Sequence, residues 1–410
     1  MPNISIFYGE FCRADSVVRE VFDRKDYHVI TDANILADAA ALSGIEPRRL
    51  EKAFSSTTSV FNKFTHEKER ALAFLRLAVA EALTEDNVLV SGYLAHLIPH
   101  DITHILRVCL ISSLKSRIAI AGEERGLSEK EATKTITRLD ERRANWVRLQ
   151  RGVDDPWDPQ LYDMVIPVDT THVVESASLI EEHAESPELE ITTASRQAVN
   201  DFILSSRVAV ALAREGHNVD VRARKGNVLL TINKHVLMLK RLEEELKQIS
   251  NSVTGVQEVE TRVGSDFHKS DVYRQYQFEE PSRVLLVDDE KQFVQTLSER
   301  LQLRNMGTAV AYDGETALQQ IERDEPEVIV LDLMMPGISG FEVLKQVKQN
   351  RPEVEVIVLT GHGSDEDEVT CLSLGAFAYL HKPVDIEVLS QKLKEANEHI
   401  QQKRRRGLEG

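Results

Sequence analysis

Four short segments near the C-terminus carry residues able to do chemistry together: Asp288-Asp289, Asp332, Thr360-Gly361 and Lys382-Pro383. Each lies at the end of an apolar, β-prone run: Val284–Asp288, Val328–Asp332, Val354–Thr360 and Ala378–Leu380. With Ala309–Tyr312 and the helical segments between, these runs predict a doubly wound (βα)5 sheet. Its last helix is expected from Ile386 to about Gln401. Open parallel sheets gather ligands beyond the carboxyl ends of their strands, so three carboxylates, a hydroxyl and an ammonium should meet at one edge. Crowded carboxylates repel unless a cation neutralises them, and hard oxygen ligands suit Mg²⁺. A metal beside a carboxylate can bridge a phosphoryl oxygen, and Lys382 can hold another. Asp332 is then a candidate nucleophile for an aspartyl phosphate, and Thr360 a hydrogen-bond donor to the attached group.

At the other end, a strand (Ile4–Tyr8) and Gly9 precede a helix marked by Val17/Val21 and Val18/Phe22 at i,i+4. This is where a phosphate-binding loop would sit. The pattern GxxxxGK[ST] can be laid on Gly9 to Ser16, and those two ends fit. Ala14 replaces the second glycine and Asp15 the lysine, so the charge that steadies phosphate is reversed. Phe11 and Cys12 are bulky where small residues let backbone wrap an anion, and Arg13 is not at the lysine position. Further runs at His28–Ile30, Val88–Val90, Ile105–Ile111 and Val165–Val168, between helices, predict a mainly parallel sheet. Ser128-Glu129-Lys130-Glu131 is a capping box, and Arg138 and Arg142 share a face of the helix it opens.

The elements order into three regions. An acidic stretch, 181–195, reads as a linker, followed by an αββαβ pattern over about 196–263 with a turn at Lys225-Gly226-Asn227 that is not a strict two-residue hairpin. Residues 264–281 read as a second linker, and Lys403–Arg406 as a frayed basic end. The 410 residues carry a net charge of −17, which disfavours general nucleic-acid or anionic-membrane binding. Cys12, Cys109 and Cys371 are odd in number and far apart, so neither a disulfide framework nor a zinc site is expected. The opening MPNISIFYGE has no signal-peptide character and no apolar run is long enough to span a bilayer, so a cytoplasmic location is expected.

The motifs VLLVDDE (284–290), VIVLDLMMPGISGFEVL (328–344), VIVLTGHG (356–363) and AYLHKP (378–383) resemble the response regulator receiver domain over about 282–402. The resemblance implies phosphoryl transfer from a histidine kinase or phosphotransfer protein to Asp332. It implies Mg²⁺ held by Asp289, Asp332 and the Met334 carbonyl, with Asp288 acting through water. It also implies Tyr379 as an aromatic switch, a cis Lys382–Pro383 bond, and possible homodimerisation through the receiver. The stretches at 27–45, 116–155 and 161–170 resemble the cytidylate kinase-like family, over about 1–185. By that resemblance Gly9, Arg13 and Ser16 line a degenerate nucleotide loop, Arg125, Arg142 and Arg143 are phosphate ligands, and Asp32 sits near an acceptor nucleotide. ATP and CMP enter only if that region is active, and the Asp15 substitution argues against it. Residues 196–263 resemble the BON module, carried by 219–232 and 253–263; Arg222, Arg224 and Lys225 are expected on a solvated face.

The fold expectation is therefore multidomain α/β: a P-loop-kinase-like parallel sheet, a small αββαβ module and a flavodoxin-like receiver. The functional expectation is a response regulator phosphorylated on Asp332 that switches a kinase-like output region. The alternatives are a nucleoside monophosphate kinase regulated by the receiver, and a scaffold without catalytic output. No helix-turn-helix pattern follows the receiver-like segment, so DNA binding is not expected.

Overall fold

The structure, a computed structural model, describes residues 1–54, 67–234, 236, 238–264, 267, 283–302, 304, 306–361 and 364–408. The expected linker at 264–281, apart from Gly264 and Phe267, and the His362-Gly363 end of one motif lie outside the described residues. Two compact units divide the chain: one holds the described residues from Met1 to Phe267 other than Glu67, the other Glu67 and those from Arg283 onward.

The first unit is built on a five-stranded sheet of β1 (Asn3–Tyr8), β2 (His28–Thr31), β3 (Val88–Ser91), β4 (Ile105–Ile111) and β5 (Met164–Pro167). The order is β2-β3-β1-β4-β5, and every pairing is parallel. Alternation along β1 explains why both faces are covered. Ile4 and Ile6 enter one core with Val17, Val21 and Ile180, while Phe7 enters the other with Phe74 and Val90. The Ser128–Glu131 capping box forms and opens the helix Glu129–Arg151.

Residues 181–195 are not a linker. They complete the helix Val173–Ala184, form a short turn at Pro187–Leu189, and cap the helix Thr193–Arg214 through a Thr192–Ser195 box. Ala184 and Leu189 are buried, so a few apolar residues anchor a segment whose polarity suggested solvent. The small module has the expected αββαβ order, with β6 (Asp220–Arg224), β7 (Asn227–Ile232), the helix Leu239–Asn251 and β8 (Glu258–Val263). β6 and β7 are antiparallel, and β7 and β8 parallel. Arg224 pairs with Asn227, so the hairpin turn is a strict two-residue one. Lys225 and Gly226 both have positive φ (50° and 88°), the signature of a type I′ turn. Arg222, Arg224 and Lys225 are exposed, as expected.

The second unit is a parallel sheet of β9 (Val284–Val287), β10 (Thr308–Ala311), β11 (Val328–Leu331), β12 (Glu355–Thr360) and β13 (Ala378–His381). Its order, β10-β9-β11-β12-β13, is the flavodoxin-like one, with the crevice beside β9 at the switch point. Helices cover both faces over two apolar cores. The last helix runs from Ile386 to Leu408, beyond its expected end, so the basic residues 403–406 continue the helix. Among the described residues no helix is long and apolar enough to cross a membrane.

Candidate functional site

The carboxyl ends of β9 and β11 bring Asp288, Asp289 and Asp332 together. One carboxylate oxygen from each lies within 4.8 Å of the others. Their backbone is fixed by the sheet: the Asp332 N–H donates to the Val287 carbonyl at 2.9 Å, and the Asp288 N–H to Ala311 at 3.1 Å. Lys382 follows β13, and its N–H donates to the Thr360 carbonyl at 2.9 Å. Its Nζ lies 2.7 Å from Asp288 Oδ2 and 2.9 Å from Asp332 Oδ2, bridging the two strand ends. The three side chains are nearly buried, at 11% for Lys382 and 6% for each aspartate, whereas Asp289 is exposed.

This arrangement has clear electrostatic consequences. Burial pushes the Asp288 pKa up, opposed by the hydrogen bond from Lys382. Burial works against the Lys382 charge, but its hydrogen bonds to Asp288 and Asp332 outweigh it and raise the ammonium's pKa above its usual value. Thr360 is fully buried at the end of β12. Tyr379, on β13, packs against the core beneath the helix Asp365–Ser373, with its ring 5.3 Å from that of His381. The Lys382–Pro383 bond is cis, as expected. Met334 is exposed, and its N–H donates to Asp332 Oδ1 at 3.3 Å.

Three neighbours had no assigned role in the sequence. Glu290 Oε1 approaches Lys382 Nζ at 3.1 Å, and the Phe293 ring lies 4.6 Å beneath that ammonium. Gly340 opens the next helix so close to the acidic loop that a Cβ there would lie 2.1 Å from the Asp332 carbonyl oxygen. Glu290 and Gly340 sit inside quoted motifs, but close backbone approach leaves no signal in a single sequence except the glycine itself.

In the first unit, the loop after β1 is filled by its own residues. Phe11 is buried among Ile120, Ala121, Ala132 and Ile136. Phe11 and Arg13 both have φ of 56°, the left-handed region that glycine favours. The Arg143 Nε donates to the Tyr8 carbonyl at 2.7 Å, Cys12 Sγ to Gly9 at 2.8 Å and Arg117 Nε to Glu10 at 2.7 Å. Arg143 and Arg125 each reach the Glu10 carboxylate at 3.0 Å. Arg117 makes a bidentate pair with Asp140, at 2.8 and 2.7 Å. Arg13 pairs with Glu123 at 3.2 Å, and Arg142 is half-buried. Ser16 is exposed on the first helical turn. The two Asp32 oxygens accept the N–H groups of Tyr93 and Leu94, at 2.8 and 3.0 Å. Glu10, Arg117 and Asp140 were not singled out in the sequence, because partner choice across helices is set only by the fold.

Comparison with known proteins matches two segments of the chain to families. Residues 284–394 match the response regulator receiver domain family, and residues 4–170 match the cytidylate kinase-like family. The transcriptional regulatory protein TrcR of Mycobacterium tuberculosis is 36% identical over 114 residues, 28% of this chain and 44% of the relative. The alkaline phosphatase synthesis transcriptional regulatory protein PhoP of Bacillus subtilis is 36% identical over 112 residues, 27% of this chain and 47% of the relative. Among solved structures, the signal receiver domain of a putative Luxo repressor protein from Vibrio parahaemolyticus is 31% identical. That match covers 30% of this chain and 95% of the other, with a TM-score of 0.29. The chain thus spans under half the length of these curated relatives. It joins a cytidylate kinase-like region to a response regulator receiver domain.

Proposed function

We propose that this chain is a two-component response regulator whose receiver accepts a phosphoryl group on Asp332 from a histidine kinase or phosphotransfer protein. The observation that carries the reading is the cluster of Asp288, Asp289 and Asp332 within 4.8 Å, with Lys382 reaching two of the three. The donor set fits Mg²⁺: hard oxygens, one of them on an exposed residue, and an open edge for water. Asp289, Asp332 and the Met334 carbonyl would hold the ion, with Asp288 acting through water. When bound, the ion supplies charge neutralisation at the carboxylates and at the incoming phosphoryl oxygens.

The chain's own residues do the rest. An Asp332 oxygen attacks phosphorus as the donor's P–N bond breaks, and the leaving imidazole keeps the bond electrons and is protonated. Lys382 offsets the charge gathering on the transferred group, and the Thr360 hydroxyl donates to it. Tyr379 lies beside this site on β13 and serves as the element whose packing reports occupancy. The first unit is the output region and works by binding, not by nucleotide phosphorylation. Its loop carries Asp15 where the pattern needs lysine, and Phe11 and Glu10 fill it. The αββαβ module is read as a BON-like packing unit, and a homodimer through the receiver is a further reading.

The test is incubation of the full chain with Mg²⁺ and a small phosphodonor such as acetyl phosphate. One acid-labile phosphoryl group per chain is expected, and none with Asp332→Asn, whose amide is not a competent nucleophile. Uptake that survives the substitution would move the acceptor elsewhere. Hydrogen exchange on the phosphorylated sample should change along the helix Asp365–Ser373 and β13, and within residues 1–264 if the output lies in this chain.

A further inference from the structure

Two guanidinium groups of the kinase-like region, those of Arg125 and Arg143, meet at one carboxylate, that of Glu10. Arg143 is buried, with its side chain 3% exposed, and each of its nitrogens is engaged. Nε serves the Tyr8 carbonyl, Nη1 the Leu139 carbonyl, and Nη2 the charged partner, Glu10. Arg125 approaches from the helix Leu114–Arg125 and takes the other oxygen of the same carboxylate. One carboxylate therefore links guanidiniums on two different helices, one oxygen to each, as the oxygens of a phosphate would.

The loop that presents Glu10 is held from several sides. Arg117, neutralised by Asp140, clamps the Glu10 carbonyl. Phe11, next in the chain, is buried between the two helices, and the Arg125 guanidinium lies 4.8 Å over its ring. A non-glycine residue at positive φ persists where its surroundings over-determine it, and the burial of Phe11 does so here. The carboxylate is thus delivered by a rigid loop.

We propose that Glu10 is a resident anion. Its carboxylate occupies the seat between Arg125 and Arg143, and an external phosphate-like anion bridges the two arginines only by displacing it. The fold is then self-sufficient: the two helices close on the loop without a ligand. Changing Ala14 and Asp15 back toward the phosphate-loop pattern leaves Glu10 in place and does not open the seat. This inference is independent of the reading of the receiver.

The test uses the full-length chain in thermal unfolding, with inorganic phosphate compared against sodium chloride at matched ionic strength. Wild type should gain in phosphate only the general salting-out stabilisation that this anion gives a folded protein. Glu10→Ala should melt lower in chloride and recover in phosphate. Its melting temperature should rise by roughly 3–6 °C per tenfold increase above the phosphate dissociation constant. The exposed Arg125→Ala, added to Glu10→Ala, should reduce that gain. If Glu10→Ala does not fold, the isosteric Glu10→Gln carries the test, since it removes the charge and keeps the shape. The receiver is present in every variant, so only differences from wild type count, and increased exchange protection over 114–125 and 129–151 should locate the bound phosphate. A phosphate gain equal in wild type and variant, or no gain in either Glu10 variant, overturns the proposal.

Discussion

Asp32 and Asp332 each directly follow a parallel strand, yet their partners give them different work. Asp332 faces the Lys382 ammonium at 2.9 Å, in a cluster that suits a cation. Asp32 instead accepts two backbone N–H groups at the start of the turn Tyr93–Leu97. Gly92, at φ 129°, makes this possible, since a Cβ there would lie 2.3 Å from an Asp32 oxygen. Burial raises the Asp32 pKa to about 6, although the Leu94 and Tyr93 N–H groups oppose it. The ordinary unfolded value is about 3.9. Between these values the folded chain binds more protons than the unfolded chain, so stability falls as pH rises through the window. Urea unfolding should therefore show the first unit losing up to about 3 kcal/mol from this group between roughly pH 4 and pH 7. Asp32→Asn should flatten that slope while giving up one of the two accepted hydrogen bonds. An unchanged slope would show that another group sets it. Asp332 and its neighbours were legible in the sequence because several residue types at fixed strand ends agree. Glu10 was not, because a lone glutamate after a glycine looks like any loop residue until Arg125 and Arg143 are seen around it.

At the scale of elements, β12 and the last helix are joined at the sheet edge opposite the acidic cluster. Glu355, the first residue of β12, is buried. It accepts from Lys348 at 2.9 Å and Lys403 at 2.7 Å, with His399 Nδ1 at 3.1 Å. Burial would raise its pKa, but the hydrogen bonds from Lys403 and Lys348 outweigh this and lower it. Its contribution is thus present above the unfolded carboxylate range and is lost as pH falls through the depressed folded value. Glu355→Gln should free Lys403 and destabilise the receiver by about 1–3 kcal/mol. Amide exchange should rise over residues 399–408 in the variant, and in wild type on acidification. Unchanged exchange there would mean that the helix end is held by apolar packing alone. This clamp also explains why the helix runs past its expected end: the apolar pattern stops near Ile400, and the holding contact is polar. The strands were legible to within a residue or two, since apolar runs between turn residues mark them directly. The segment 181–195 was not, because Ala184 and Leu189 are sparse among charges and only the folded core shows them buried.

For the whole molecule, the helix Thr193–Arg214 decides which residues fold together. One face joins the core of the kinase-like region: Val199, Phe202, Ile203, Val210 and Ala213 pack in the cluster that holds Phe74 and Leu77. Another face, with Leu204, Val208 and Leu212, packs with Val228, Leu230 and Leu246 of the small module. A single helix therefore supplies a wall to two cores, which is why the αββαβ module and the kinase-like sheet belong to one compact unit. A boundary near residue 190, natural from the acidic composition, would strip the first core of five buried side chains. Fully burying a large apolar side chain is worth about 1.5–3 kcal/mol, so the loss approaches the 5–15 kcal/mol that typically stabilises a whole domain. A fragment of residues 1–190 should accordingly be largely unfolded or aggregated. A fragment of residues 1–267 should unfold in one cooperative transition, with both cores lost together. Urea unfolding followed by tryptophan fluorescence is well placed to tell, because Trp146 lies in the first core and the small module carries no tryptophan. Far-ultraviolet circular dichroism reports both cores at once. Coincident transitions by the two probes in the longer fragment, with none in the shorter one, are the expected result. A stable, cooperative 1–190 fragment would mean that the shared helix contributes little to the first core.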